Sequence, residues 1–388
     1  MDIHNYKRRL ERTLERLEKD QEVSQHNKKI ILKFRDSCLV QNISLGKTDA
    51  YLFYLVRYTK RLNKPLEEAV KEDIEGVIAW LNQSDYKEGT KLCFKIVIRK
   101  LYKLLEGTTD YPEKVNWIST TIPKNHKRLP EELLTDEEVE GIIRCASSVR
   151  DKALLAVLAE SGARISEIGT MKIKHVSFEE YGARLNLHGK TGSRKILIIN
   201  STPYLQEWIN QHPKNDNSEE YLWYNQQNLP YLSYTRINSI LKTSAKRAGI
   251  KKRVYPHLLR HTRATRIASV MSESAMKQYF GWTQGSDMAS IYVHMNGRDT
   301  DEAVLRASGI EIKKEKPRQQ LKPKKCGRCK AINEATNKFC KICGLTLDEQ
   351  EANTLIENDL KRNQADEVMN NLMKDPEILE LIKAKLSC

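Results

Sequence analysis

Residues 256–261 read PHLLRH, and residues 280–295 read FGWTQGSDMASIYVHM. Pro256 suits the first turn of a helix, where its missing N–H costs nothing. His257 and Arg260 then stand three apart and share one face of that helix. The helix N-terminus adds partial positive charge, which favours a phosphate. An imidazole that can move a proton, beside a guanidinium that can grip two oxygens, suits a phosphodiester. In the second stretch Tyr292 lies among small and apolar residues. A tyrosine hydroxyl attacks phosphorus when cations offset its high pKa and the charge that develops. Taken singly, each pattern also fits a plainer account: a capped helix with surface His and Arg, and one packed tyrosine among 16. Trp282 reads as a packing residue.

Two upstream segments extend the pattern. Residues 161–169, SGARISEIG, place Arg164 after a glycine turn, at the start of a helix whose Ile165, Ile168 and Met171 face inward. An arginine there can clamp phosphate oxygens, or pair with Glu167 at i,i+3. Residues 188–195, HGKTGSRK, put Lys190 at a hairpin turn, where it can protonate a leaving oxygen or simply be exposed. The flanking strands are residues 184–188, which alternate, and the apolar residues 195–199. Thr135 and Glu138 form a capping-box pattern for a helix from Asp136, and residues 151–160 suit a buried helix.

In sequence order these residues are Arg164, Lys190, His257-x-x-Arg260, Trp282 and Tyr292, all in one region. That order resembles the tyrosine recombinases of the phage-integrase family. The resemblance covers residues 130–300 by motif and 20–106 by helical architecture. The family's HxLRHT box falls on His257, Leu259, Arg260, His261 and Thr262, its Gly-His/Trp pair on Gly281 and Trp282, and its YxH motif on Tyr292 and His294. Trp282 stands where histidine is commoner, which implies packing and hydrogen bonding through the indole N–H rather than proton transfer. The fold implied is mainly α with a small β-sheet (α+β): a helical core-binding (SAM-like) domain and a catalytic domain that clamp double-stranded DNA in a C shape.

The resemblance implies that Tyr292 attacks a DNA phosphodiester, forming a 3′-phosphotyrosine and releasing a 5′-hydroxyl. Arg164 and Arg260 stabilise the non-bridging oxygens. Lys190 protonates the leaving oxygen, and His257 assists proton transfer to and from the tyrosine. The bond energy stays in the covalent link, so neither ATP nor a catalytic metal is expected. The absence of a P-loop, and of an obvious carboxylate cluster for two metals, agrees. Self-association as a tetramer on DNA is implied too. A type IB topoisomerase shares this chemistry, but the N-terminal helical region and the HxLRHT box argue against it. A non-catalytic zinc-ribbon regulator on a recombinase fold is the third reading, and the six intact positions argue against that.

Composition sets the frame. The chain has 388 residues, for a prior of two or three domains, and a net charge of +15. No apolar run approaches the roughly 20 residues of a membrane-spanning helix, and from the charged start, MDIHNYKRRLERTLERLEKD, no secretory signal is expected. Residues 221–272 hold ten Lys and Arg and no Asp or Glu, which points to a polyanion partner. The expected domains are helical 1–106, linker 107–129, catalytic 130–310, basic linker 311–325, zinc ribbon 326–344 and helical tail 345–388. Cys326, Cys329, Cys340 and Cys343 form two Cys-x2-Cys knuckles, which suit a closed, structural zinc site. The other cysteines are scattered, so the expectation is a reduced, cytoplasmic, nucleoid-associated protein. Met369, Leu372, Met373, Ile378, Leu379, Leu381, Ile382 and Leu386 give the tail an apolar stripe, read as a docking or self-association face.

Overall fold

The computed structural model describes residues 2–121, 133–189, 192–225, 230–295, 323–329, 332–334 and 337–372, with Ser308 and Lys374. The chain divides into two compact units, Met1–Arg128 and Leu129–Cys388. It is mainly helical with small sheets, as expected.

The first unit holds α1 (Tyr6–Lys19), α2 (Gln25–Val40), α3 (Leu45–Leu62), α4 (Lys71–Gln83), α5 (Glu88–Glu106) and the short α6 (Glu113–Asn116). Helix α3 packs on α1, α2, α4 and α5. Its Leu52 and Leu55 are fully buried with Ile31, Leu66, Ile74 and Leu101, and this apolar burial drives the packing. Tyr58 and Tyr102 are buried in the same core and satisfy each other's hydroxyls at 2.6 Å. Within the region expected to be helical, residues 66–83 form two elements, a 3-10 turn at Leu66–Glu68 and then α4. Asp73 makes the restart: its carboxylate accepts from the Val70 N–H at 3.0 Å and pairs with Lys64 at 2.7 Å. Part of the stretch read as a linker also belongs to this core, since Val115 and Ile118 are buried there. An element as short as α6 leaves no periodicity to read. Residues 122–132 lie outside the described residues.

The second unit is organised by α8 (Val149–Ser161). It follows α7 (Asp136–Arg144), whose start carries the expected reciprocal cap: Thr135 Oγ1 accepts from the Glu138 N–H, and the Thr135 N–H donates to Glu138. From Ala153 to Ser161 every residue of α8 is buried, because α7, one strand of a three-stranded sheet and two later helices pack against it. After α9 (Ile165–Gly169) come β1 (Val176–Glu179), β2 (Gly182–Gly189) and β3 (Gly192–Ile198), antiparallel in that order. Strand β1 is four residues, mostly exposed, and has no alternation to betray it. Strands β2 and β3 stay paired as far as Gly189 and Gly192, beyond the expected strand ends at 188 and 195; Lys190 lies outside the described residues. Helices α10 (Thr202–Asn210), α11 (Tyr234–Arg247), α12 (Pro256–Ala268), α13 (Glu273–Phe280) and α14 (Met288–Met295) complete this region.

Glu160, buried at the end of α8, ties the sheet to α10. Its carboxyl oxygens accept from the N–H groups of Ile199, Asn200 and Ser201 and from the Ser201 hydroxyl, at 2.6–3.0 Å. Glu160→Ala should lower stability by about 2 kcal/mol, because it strands several donors. The expected readout is a lower urea midpoint at unchanged slope; an unmoved midpoint would contradict the assigned role.

The cysteine-rich region opens with β4 (Lys324–Lys325), paired to β5 (Ile332–Asn333). Lys324 and Lys325, expected in the basic linker, therefore belong to the ribbon. The Lys324 ammonium reaches the Asn337 carbonyl at 3.1 Å and Asp348 at 3.4 Å. Helix α15 (Glu349–Leu372) follows. Leu355, Ile356, Leu360, Val368, Met369 and Leu372 are exposed along it. The rest of the tail stripe, Met373, Ile378, Leu379, Leu381, Ile382 and Leu386, lies outside the described residues, as do residues 309–322.

Candidate active site

The four described charged groups of the site meet where α8 ends, α9 begins, β3 starts and α12 passes. Gly162 closes α8 at φ +55°, a left-handed conformation that favours glycine. A Cβ there would also meet the Phe280 ring at 2.7 Å. Two residues on, Arg164 caps α9, and Glu167 in its first turn is completely buried. Glu167 Oε2 accepts from the Arg164 N–H at 2.8 Å and Oε1 from the Arg164 guanidinium at 2.9 Å. Arg194 on β3 forks onto both oxygens of the same carboxylate at 2.9 and 2.8 Å. Burial alone would raise the Glu167 pKa, but the Arg194 and Arg164 contacts outweigh it and hold the group below its ordinary value.

Arg260 on α12 is 3% exposed. Its two terminal nitrogens donate to the carbonyls of Gly162 and Phe280, both at 2.9 Å. Arg164 donates to the Gly281 carbonyl at 3.1 Å. The two arginines are thus fixed by neighbouring backbone, and each is anchored to the segment that carries Trp282. Burial, reinforced by the charge of Arg164, lowers the Arg260 pKa to about 10, which still leaves it cationic at neutral pH. Two guanidiniums, Arg164 and Arg194, pair with the one carboxylate, and Arg260 adds a third cation held by carbonyls, so positive charge is in excess among these residues. Such a pocket favours an anion.

Tyr292 on α14 is 4% exposed. Its ring stacks on Trp282 with centroids 5.6 Å apart and planes 4° apart. Trp282 stacks in turn on Phe280 at 4.9 Å, and the Arg260 guanidinium lies 5.5 Å from the Trp282 ring. The Tyr292 hydroxyl is hydrogen-bonded to Nδ1 of His261 at 2.5 Å. The exposed His257, one turn earlier, sets its ring edge-on to His261 with centroids 4.6 Å apart.

Arg164, His257, Arg260, Trp282 and Tyr292 therefore come together, while Lys190 and the His294 side chain lie outside the described residues. Three neighbours were not singled out by sequence reasoning. Glu167 entered only as an i,i+3 partner, and His261 only as part of a motif. Arg194 had a readable signal: it shares a strand face with Ile196 and Ile198, both buried, so it is an arginine at an inward position.

The four cysteines form a separate cluster with all sulfurs within 4.8 Å of one another. The Cys326–Cys343 and Cys329–Cys340 sulfurs are 3.5 Å apart. Tetrahedral zinc with bonds of ~2.3 Å needs sulfurs about 3.8 Å apart, so these residues fit the ion. Two of the thiols are poised to ionise. Backbone amides of the first knuckle, chiefly that of Cys329, lower the Cys326 pKa. At Cys340 desolvation opposes ionisation, but the Cys343 and Ile342 amides prevail and bring it to about 6.

Nine of the ten basic residues of 221–272 sort into two groups. Arg236, Lys242, Lys246, Arg247, Lys251 and Arg253 are exposed. Lys252 and Arg266 are engaged inside, with Glu138 and Asp136 respectively, and Arg260 is buried in the site.

Residues 132–298 match the phage integrase family. Tyrosine recombinase XerA of Pyrococcus furiosus is 28% identical over 260 residues, covering 66% of this chain and 87% of that protein. The fold is similar to that of the XerH site-specific recombinase bound to difH substrate, with TM-score 0.54 and 18% identity over 78% of this chain and 96% of that one. It is also similar to a lambda integrase tetramer bound to a Holliday junction, with TM-score 0.52 and 15% identity over 68% of this chain and 76% of that one.

Proposed function

We propose, from the match of residues 132–298 to the phage integrase family, that the chain is a site-specific recombinase cleaving and rejoining double-stranded DNA through Tyr292. What supports this most is a single arrangement. A phenol hydroxyl sits beside an imidazole, next to two guanidiniums fixed by backbone carbonyls. The phosphodiester enters the cationic pocket, where Arg164 and Arg260 hold its non-bridging oxygens and stabilise the charge of the pentacoordinate transition state. Tyr292 Oη attacks phosphorus and keeps the 3′-phosphate. Lys190 gives the 5′-oxygen its proton, and His257 assists proton movement at the tyrosine from the outer edge of the histidine pair. Trp282 fixes the plane of the tyrosine ring. Resealing by another strand's 5′-hydroxyl is the reverse step and consumes neither ATP nor metal.

In this reading the helical first unit is the core-binding half of a DNA clamp, the exposed lysines and arginines of 221–272 contact phosphates, and four chains act together. The chain would act in the nucleoid. Zinc held by Cys326, Cys329, Cys340 and Cys343 would cross-link the ribbon and take no part in the reaction.

Strand exchange between two labelled duplexes tests the outcome. Recombinant products are expected; nicking and closing of a single duplex without exchange would favour the topoisomerase reading instead. Zinc makes a second test. Removing it with a chelator should unfold residues 326–344, seen as loss of amide protection there, while cleavage by Tyr292 persists. Loss of cleavage in parallel would make the ribbon part of the catalytic core.

A further inference from the structure

We propose that His261, rather than His257, is the group that takes the phenolic proton of Tyr292. This rests on the recombinase reading above and assigns one step within it. The observation is positional. Of the two histidines on α12, His261 is the one whose ring nitrogen lies at 2.5 Å from the Tyr292 hydroxyl, and its ring is tilted 41° to the phenol with centroids 5.9 Å apart. Trp282 holds the phenol from its face, so the hydroxyl has little freedom to leave that nitrogen. His257 is exposed and sets its ring edge-on to that of His261. Arg260, between them in sequence, turns into the protein and donates to two carbonyls; a guanidinium cation has no lone pair to take the proton.

The step balances. The Oη–H bond breaks and its proton passes to Nδ1 of His261, which must therefore carry its own proton on Nε2. The Oη–P bond forms, the P–O5′ bond breaks, and the 5′-oxygen leaves with the proton assigned to Lys190. On resealing, the 5′-hydroxyl attacks and the phenolate recovers its proton from His261. His257 acts through His261, orienting it and screening its charge.

The test uses the full chain on a suicide duplex whose nicked 5′ fragment diffuses away, with single-turnover cleavage and DNA affinity both measured. His261→Ala should cut the cleavage rate about 10²- to 10³-fold with affinity nearly unchanged. His261→Asn keeps a polar atom near Nδ1 but cannot take the proton, so it should stay about as slow. Fluorinated tyrosine at position 292, whose phenol is more acidic, should restore much of the rate to His261→Ala and change wild type little. Three results would overturn the proposal: a His261→Ala rate within about threefold of wild type, full rescue by asparagine, or no differential rescue by fluorotyrosine. Tyr292→Phe serves as the control. If wild type formed no adduct that this control removes, the recombinase reading itself would fall, and the proposal with it.

Discussion

Replacing Tyr292 by phenylalanine should abolish covalent attachment to DNA while leaving DNA affinity within about twofold of wild type. The change deletes one oxygen. Tyr292 is packed between α12 and Trp282, and a phenylalanine keeps the ring and its stacking at 5.6 Å. What is lost is the hydrogen bond to His261 and the only atom that can bond to phosphorus in this reading. Cleavage should therefore fall below detection rather than decline by degrees. The measurement is a denaturing gel of protein incubated with a nicked duplex, set beside a binding titration. A residual covalent band of wild-type mobility would assign the nucleophile elsewhere. An equal loss of binding would mean that the hydroxyl anchors α14.

Arg260→Ala is the second large effect. In the native protein its guanidinium spans the Gly162 and Phe280 carbonyls, so it joins the end of α8 to the segment before Trp282. Truncation removes a buried cation from the anion pocket and leaves two carbonyls without that donor. Cleavage should drop by roughly 10³-fold or more, as expected when a fixed charge aimed at a phosphoryl transition state is deleted. Stability should fall by about 2 kcal/mol, from the two stranded carbonyls and the cavity. Arg260→Lys should recover stability better than rate, because a point charge cannot span both carbonyls and two phosphate oxygens. Single-turnover cleavage beside a urea melt separates these effects. A loss of binding as large as the loss of cleavage would make Arg260 an anchor for DNA, with no special role in the transition state.

Particular residues show how far the sequence could be read. The helix from Pro256, the cap at Thr135 and the buried α8 all follow from local rules: a proline in a first turn, a reciprocal side-chain cap, an apolar run without a polar face. Arg164, Arg260 and Tyr292 were nameable because their order along the chain resembled a family, whereas their convergence needed the fold. The network that fixes them was hidden for a physical reason. Arg260 and Arg164 are held by the carbonyls of Gly162, Phe280 and Gly281, and backbone acceptors leave no trace in side-chain identity. The spacing of Arg194 to Ile196 and Ile198 marks an inward position, and the register of β2 and β3 sets it beside the inward-facing Leu187. The charge of residues 221–272 was legible as a sum, but its division into exposed and engaged residues depends on how each one sits against the fold around it. Very short elements, such as α6, β1 and β4, escaped because two to four residues carry no period.

The most direct measurement is the chemical identity of the link between this chain and DNA. Wild type would be trapped on a nicked duplex in EDTA, digested with trypsin, and the nucleotide-bearing peptide sequenced by mass spectrometry. The account predicts one modified peptide, residues 278–298, carrying DNA on Tyr292 through a 3′-phosphate. A link on another residue, a link through a 5′-phosphate, or no link on DNA that the protein demonstrably binds would contradict it.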